Sequence, residues 1–127
     1  MPEPLLQLRT RSIERECHID LQGELDMSTV PSLLAAAQML LASGPRQLTV
    51  DTGNLSFVDL RGFTALLRVQ DAAARCGCRL QVRNPSTGLR RLAALTGNAH
   101  IPGIDDMPAN TRRPASLAPE RESDRGD

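Results

Sequence analysis

The sequence predicts a single α/β domain in which a β-hairpin is followed by helices and strands in strict alternation. Two observations carry this reading. Along residues 5–97 the apolar residues switch repeatedly between a spacing of two and a spacing of three to four, the signatures of half-buried strands and amphipathic helices. Turn and cap residues, among them Gly44, Asn84-Pro85-Ser86 and Gly97, fall where the period changes. At 127 residues the chain has room for one core and needs no disulfide or metal to hold it.

Residues 5–11 alternate, with Leu6 and Leu8 against Gln7, Arg9 and Arg11. Residues 17–25 alternate more cleanly, with Cys17, Ile19, Leu21 and Leu25 on one side and His18, Asp20, Gln22 and Glu24 on the other. The short polar link from Ser12 to Glu16 suits an antiparallel hairpin. From Val30 to Leu41 the apolar positions Val30, Leu33, Leu34, Ala37, Leu40 and Leu41 follow a helical period. Ser28 or Thr29 can cap this helix, Pro31 fits its first turn and Gly44 ends it. Gln47 to Asp51 reads as a third strand. A second helix spans Leu60 to Arg75, with Phe63, Leu66, Leu67, Gln70 and Ala74 at helical spacing. Cys78, Leu80 and Val82 mark a fourth strand, and Asn84-Pro85-Ser86 opens a third helix carrying Leu89, Leu92 and Leu95, closed by Gly97. A short fifth strand is expected around His100 to Ile104.

The expected order is β-β-α-β-α-β-α-β, a mixed sheet whose crossovers after the hairpin are right-handed. Strands buried on both faces read as continuous apolar runs. The second and fourth strands here keep polar residues at alternate positions, so the helices are expected mainly on one face. Residues 1–106 form the domain. Residues 107–127 are rich in Pro, Ala, Ser, Arg, Asp and Glu, and they are expected to form a disordered tail.

Composition narrows the function. Phe57 and Phe63 are the only aromatics and the formal net charge is zero, which argues against nucleic-acid binding by stacking or by bulk attraction to phosphate. All 15 basic residues are arginine, a mark of a high-GC, bacterial coding sequence. The three cysteines Cys17, Cys76 and Cys78 have no disulfide-framework or metal-ligand spacing, so no metal and no cofactor is expected. The start Met-Pro-Glu-Pro-Leu-Leu lacks a basic region and a long apolar run, and the apolar stretch from Leu33 to Ala42 is too short to span a bilayer. A cytoplasmic protein without membrane insertion is expected. No nucleophile–base pair or Gly-rich phosphate loop stands out, and the protein is read as a binding module rather than an enzyme. His18 and His100 are isolated and read as surface or satisfied histidines. Arg112-Arg113-Pro114-Ala115-Ser116 has the form of a basophilic kinase site, a pattern that disordered tails produce by coincidence.

In sheets with parallel strands, functional loops gather at the carboxyl ends of those strands. Three segments meet there: Gly23 to Thr29, Thr52 to Gly62, and Arg83 to Ser86. Asp59 reads as the N-cap of the second helix and Asp26 as a turn or cap residue. Leu60 either packs on the protein or contacts a partner. Arg61 stands where the helix dipole disfavours a cation.

The motifs Gly23-Glu24-Leu25-Asp26, Leu48-Thr49-Val50-Asp51 and Phe57-Val58-Asp59-Leu60-Arg61-Gly62-Phe63, in this order, resemble those of the STAS domain, the fold of bacterial anti-sigma-factor antagonists. The resemblance covers about residues 5–106, and Leu95-Thr96-Gly97 suits the end of the family's third helix. In phosphorylated antagonists of that family the loop reads Asp-Ser-Ser-Gly, and its first Ser is phosphorylated by a partner serine kinase, the anti-sigma factor. Here the Asp and Gly are kept, but Leu60 stands at the acceptor position and Arg61 at the second Ser. The resemblance implies a regulator that binds such a kinase through Asp26, Asp59, Leu60, Arg61 and Gly62 and is not phosphorylated at the usual site. The alternative is a STAS subunit of a larger assembly, such as a lipid-transport ATPase or a stressosome-like scaffold.

Overall fold

A two-residue turn opens the fold. In the computed structural model, which describes residues 5–97 and 101–104, strand β1 (Leu6–Ile13) pairs antiparallel with β2 (Glu16–Leu25), and Glu14 turns the chain with φ 56°. Both strands are longer at the hairpin than the polar link suggested, because Ser12 and Ile13 pair directly with Cys17 and Glu16. The chain continues as α1 (Val30–Leu41), β3 (Gln47–Val58), α2 (Leu60–Arg75), β4 (Arg79–Arg83) and α3 (Thr87–Thr96). The sheet order is β1-β2-β3-β4, with β2, β3 and β4 mutually parallel.

The helices pack on one face of this mixed sheet. Register places Cys17 beside Leu48 and Leu80, and Ile19 beside Val50 and Val82, so these residues form the sheet's share of the buried core. The opposite face carries polar rows, among them Arg9–Asp20–Asp51–Arg83 and Arg11–His18–Thr49–Gln81. Arginines stand on the edge strands and carboxylates on the central ones, an arrangement that suits a solvated face.

α1 buries Leu33, Ala37 and Leu41 along one i, i+4 line, with Val30, Leu34 and Leu40 half-buried beside them. α2 turns a different stripe inward from the expected one. Gly62, Phe63, Ala65, Leu66, Val69 and Ala73 are buried, Leu67 and Gln70 are only half-buried, and Ala74 is exposed. The helix is rich enough in small and apolar residues to offer two stripes, and packing against both α1 and the sheet selects the one with the smaller side chains. In α3, Leu89 and Ala93 face in, while Leu95 is 76% exposed. The small Ala93 lies on the same diagonal as Leu89 and lets α3 approach closely.

β3 runs seven residues past the expected Asp51. Its extension pairs with the second half of β2, and the register slips by one residue between Asp20 and Gln22 and again between Gly23 and Glu24. Two extra residues on β3, each a bulge, are thereby absorbed. Inward positions fall at Thr52, Leu55 and Val58, spaced by three instead of two.

The expected fifth strand is a turn instead. Ile104 N–H donates to the Ile101 carbonyl (3.1 Å), while Val82 N–H donates to the Pro102 carbonyl (2.8 Å) and ties the turn to the free edge of β4. Gly103 has φ 98°, and a side chain there would run into the Val82 carbonyl. His100 and the expected tail, 107–127, lie outside the described residues. Ile101 is fully buried in this turn. Ile101→Ala should therefore destabilise the domain by about 2–4 kcal/mol in urea denaturation, as for other buried isoleucines. A cost within about 0.5 kcal/mol, the range of surface substitutions, would mean that the turn contributes nothing to the core.

Candidate functional site

The carboxyl ends of β2 and β3 deliver the chain to α1 and α2, and an aspartate holds each connection: Asp26 in the turn before α1 and Asp59 as the cap of α2. Leu25 ends β2. Asp26 Oδ1 then accepts the N–H groups of Ser28 (2.9 Å) and Thr29 (3.2 Å) and the hydroxyl of Ser28 (2.7 Å). Thr29 occupies the N-cap position of α1 without a side-chain cap bond. Its hydroxyl instead donates to the Glu24 carbonyl (2.9 Å) and accepts the Asp26 N–H (3.0 Å), stapling the turn from inside. The side-chain cap expected of Ser28 or Thr29 is not formed; the Val30 N–H donates to the Asp26 carbonyl (2.9 Å) and the Ser32 N–H to the Thr29 carbonyl (3.0 Å), while the Asp26 carboxylate braces the turn before the helix.

Asp59, in extended conformation, caps α2 as expected. Its Oδ1 accepts the N–H of Gly62 at 2.8 Å, and its own N–H donates to the Leu25 carbonyl at 3.2 Å. At Gly62, α2 lies close against the end of β2. A Cβ there would lie 2.5 Å from the Leu25 carbonyl oxygen and 2.9 Å from its Cγ, so only glycine fits without movement. Two of the candidate residues, Asp59 and Gly62, are therefore spent on joining α2 to β2, and Asp26 on opening α1.

Leu60 and Arg61 point outward from the first turn of α2. Leu60 is 54% exposed, and it lines one groove with Met27, Arg61 and Thr64. Met27 is 63% exposed. It was not among the candidates from sequence, although an apolar residue inside the polar run from Gly23 to Thr29 was the available signal. Phe57 is also exposed, at the end of β3 just before Asp59. Arg61 stands in the first turn of α2, where the helix dipole disfavours a cation and the acidic group is Asp59 at the N-cap. Two hydroxyls lie near. Ser56 Oγ donates to the Gly23 carbonyl at 3.1 Å, and Thr64 sits one turn along α2 on the Leu60 side.

The geometry presents an apolar contact at the surface. Asp26 and Asp59 are engaged by backbone amides. Burial pushes the Cys78 thiol up, away from nucleophilic thiolate. Among the described residues no group of three or more His, Cys, Asp or Glu side chains could hold a metal ion, and no helix is long and apolar enough to cross a membrane.

The family described as Mlab, STAS domain, matches residues 8–104. An anti-sigma factor antagonist from Mycobacterium paratuberculosis superposes with a TM-score of 0.60 at 26% identity, over 72% of this chain and 78% of that one. The Bacillus cell fate determinant SpoIIAA, in its phosphorylated form, gives 0.61 at 24% identity, over 72% and 84%. A sulfate transporter family protein from Wolinella succinogenes gives 0.59 at 15% identity, over 67% and 69%. The last two likenesses are of fold alone. No curated protein matches the chain in sequence.

The hydroxyl of Ser28 is the main reason that the Asp26 carboxyl lies below the usual aspartate range; desolvation opposes it, and the amides of Ser28 and Thr29 reinforce it. With its folded value below its unfolded one, this carboxylate stabilises the turn above the unfolded value and loses that effect as pH falls through the folded value. NMR titration should place Asp26 below an ordinary aspartate, and Ser28→Ala should move it upward. An unchanged value in Ser28→Ala would show that the hydroxyl does not hold the carboxylate.

Proposed function

The chain belongs to the STAS domain family, and on that premise we propose that it is an anti-sigma-factor antagonist-like regulator that binds a partner serine kinase in the cytoplasm without being phosphorylated at the usual site. The observation that carries this reading is Leu60. It occupies the position that the family resemblance gives to the acceptor serine, and more than half of it is exposed on the first turn of α2, beside Met27. Phosphoryl transfer needs a hydroxyl held in line with the donor, and a branched hydrocarbon offers none. Ser56 directs its hydroxyl back to Gly23, and Thr64 lies about 6 Å further along the helix, at 1.5 Å rise per residue. Asp26, Asp59 and Gly62 form the rigid frame of the docking surface, and Leu60 and Arg61 are its contacts. The role is one of binding and not of catalysis.

A second reading, a STAS subunit of a larger assembly such as a lipid-transport ATPase or a stressosome-like scaffold, draws support from the fold likeness to a sulfate transporter family protein. Co-purification separates the two, since a small kinase supports the first and transporter components the second.

Burying Leu60 against the kinase would contribute about 1–2 kcal/mol. Leu60→Asp should weaken the complex about tenfold or more in calorimetry while leaving the melting temperature unchanged. Incubation with the kinase and ATP should add no phosphate to this segment. Unchanged affinity would remove Leu60 from the interface, and a phosphate on Ser56 or Thr64 would overturn the reading of a chain without the phosphorylation switch.

A further inference from the structure

The groove that begins at Leu60 and Met27 does not stop there. Two adjoining cavities of about 490 and 730 Å³ share Leu34 and Arg68 and together follow the cleft between α1 and α2 from Met27 to Cys76. Its floor is apolar, formed by Leu34, Ala37 and Leu41 of α1 with Ala65, Val69 and Ala72 of α2. The α1 wall has no charge at all, since none of the 12 residues of that helix is ionisable. The α2 wall carries Arg61, Arg68 and Arg75, all exposed and all lining the groove. Asp71 is the only acidic residue along it.

The three arginines are spaced by seven, two helical turns, so they form a straight cationic edge about 21 Å long. An apolar trough with one cationic edge matches a helix that has an apolar stripe bordered by acidic side chains at the same interval. Arginine in particular favours such carboxylate partners. The trough is concave, so a flat bilayer resting on its rims would not reach the floor, which favours a helix over a membrane. We propose that the α1–α2 groove is the docking site for an amphipathic helix of a partner protein, with acidic residues at seven-residue spacing facing Arg61, Arg68 and Arg75. This deepens the reading of Leu60 as a contact, because the groove starts at that residue.

The test uses the full chain, ¹⁵N-labelled, and two synthetic helical peptides of about 18 residues, long enough to hold a helix. Both carry a leucine stripe; one has Glu and the other Lys at every seventh position beside it. The Glu peptide should shift amides on both walls, in residues 27–42 and 60–76. Its affinity should fall about tenfold or more in the R68E/R75E double variant, which should bind the Lys peptide instead. Both arginines are exposed, and an unchanged melting temperature confirms that the variant is folded. Equal binding of the two peptides, no binding up to about 1 mM, or shifts confined to other surfaces would overturn the proposal. So would a concentration-dependent dimer formed through these residues. Tighter binding to phosphatidylglycerol vesicles, lost in R68E/R75E, would likewise overturn it in favour of a membrane. Leu60→Asp separates the two claims: loss of kinase binding there with R68E/R75E unaffected would keep the Leu60 contact and remove the helix, and the reverse would keep the helix and remove Leu60.

Discussion

The close approach of Gly62 to the Leu25 carbonyl is the contact on which the rest of this molecule's working edge depends. A helix after a parallel strand must restart over the sheet, and its first turn carries unsatisfied amides. Here Asp59 takes up the Gly62 N–H, and its own N–H reaches the Leu25 carbonyl. The missing side chain at residue 62 allows α2 to settle directly on the end of β2. That seating fixes Leu60 beside Met27, and it aligns α2 with α1 so that a groove remains between them. The exposed apolar surface is therefore a by-product of tight backbone packing beneath it.

The two faces of the sheet divide the labour. One is covered by helices and supplies the core; the other is lined by rows of arginine, aspartate and glutamine that need no cover. Any protein contact of appreciable apolar area must then be made on the helical side or at the strand ends, where Met27, Met39, Phe57 and Leu60 are exposed. The acids beside Leu60, Asp26 and Asp59, accept N–H groups of their own turns.

Much of this was legible in the residues. The bounds of α1 and α2, the capping role of Asp59 and the single covered face all follow from spacing and from the preferences of Asp and Gly. The far half of β3 was not, because two bulges move its inward residues to Thr52, Leu55 and Val58, and a spacing of three hides a strand from any search for alternation. The Pro102 turn, where a strand was expected, was not legible either; its Ile101 and Ile104 are both buried. Their burial comes from docking on the edge of β4, which no local pattern reports. The inward stripe of α2 was misplaced for a related reason. Alanines at 65, 72, 73 and 74 leave the helix's rotation to its neighbours. At the site, Leu60 could be singled out from sequence, but its pairing with Met27 could not, since it arises from the fold of two separate turns.

The most direct test of this account is the stability of Gly62→Ala. One methyl group there has no room beside the Leu25 carbonyl, so urea denaturation should show a loss of about 1–3 kcal/mol, the usual cost of overpacking. The NMR shifts of Met27 and Leu60 should move with it. A variant as stable as the parent, with both residues undisturbed, would contradict the claim that this contact seats α2 and shapes the edge.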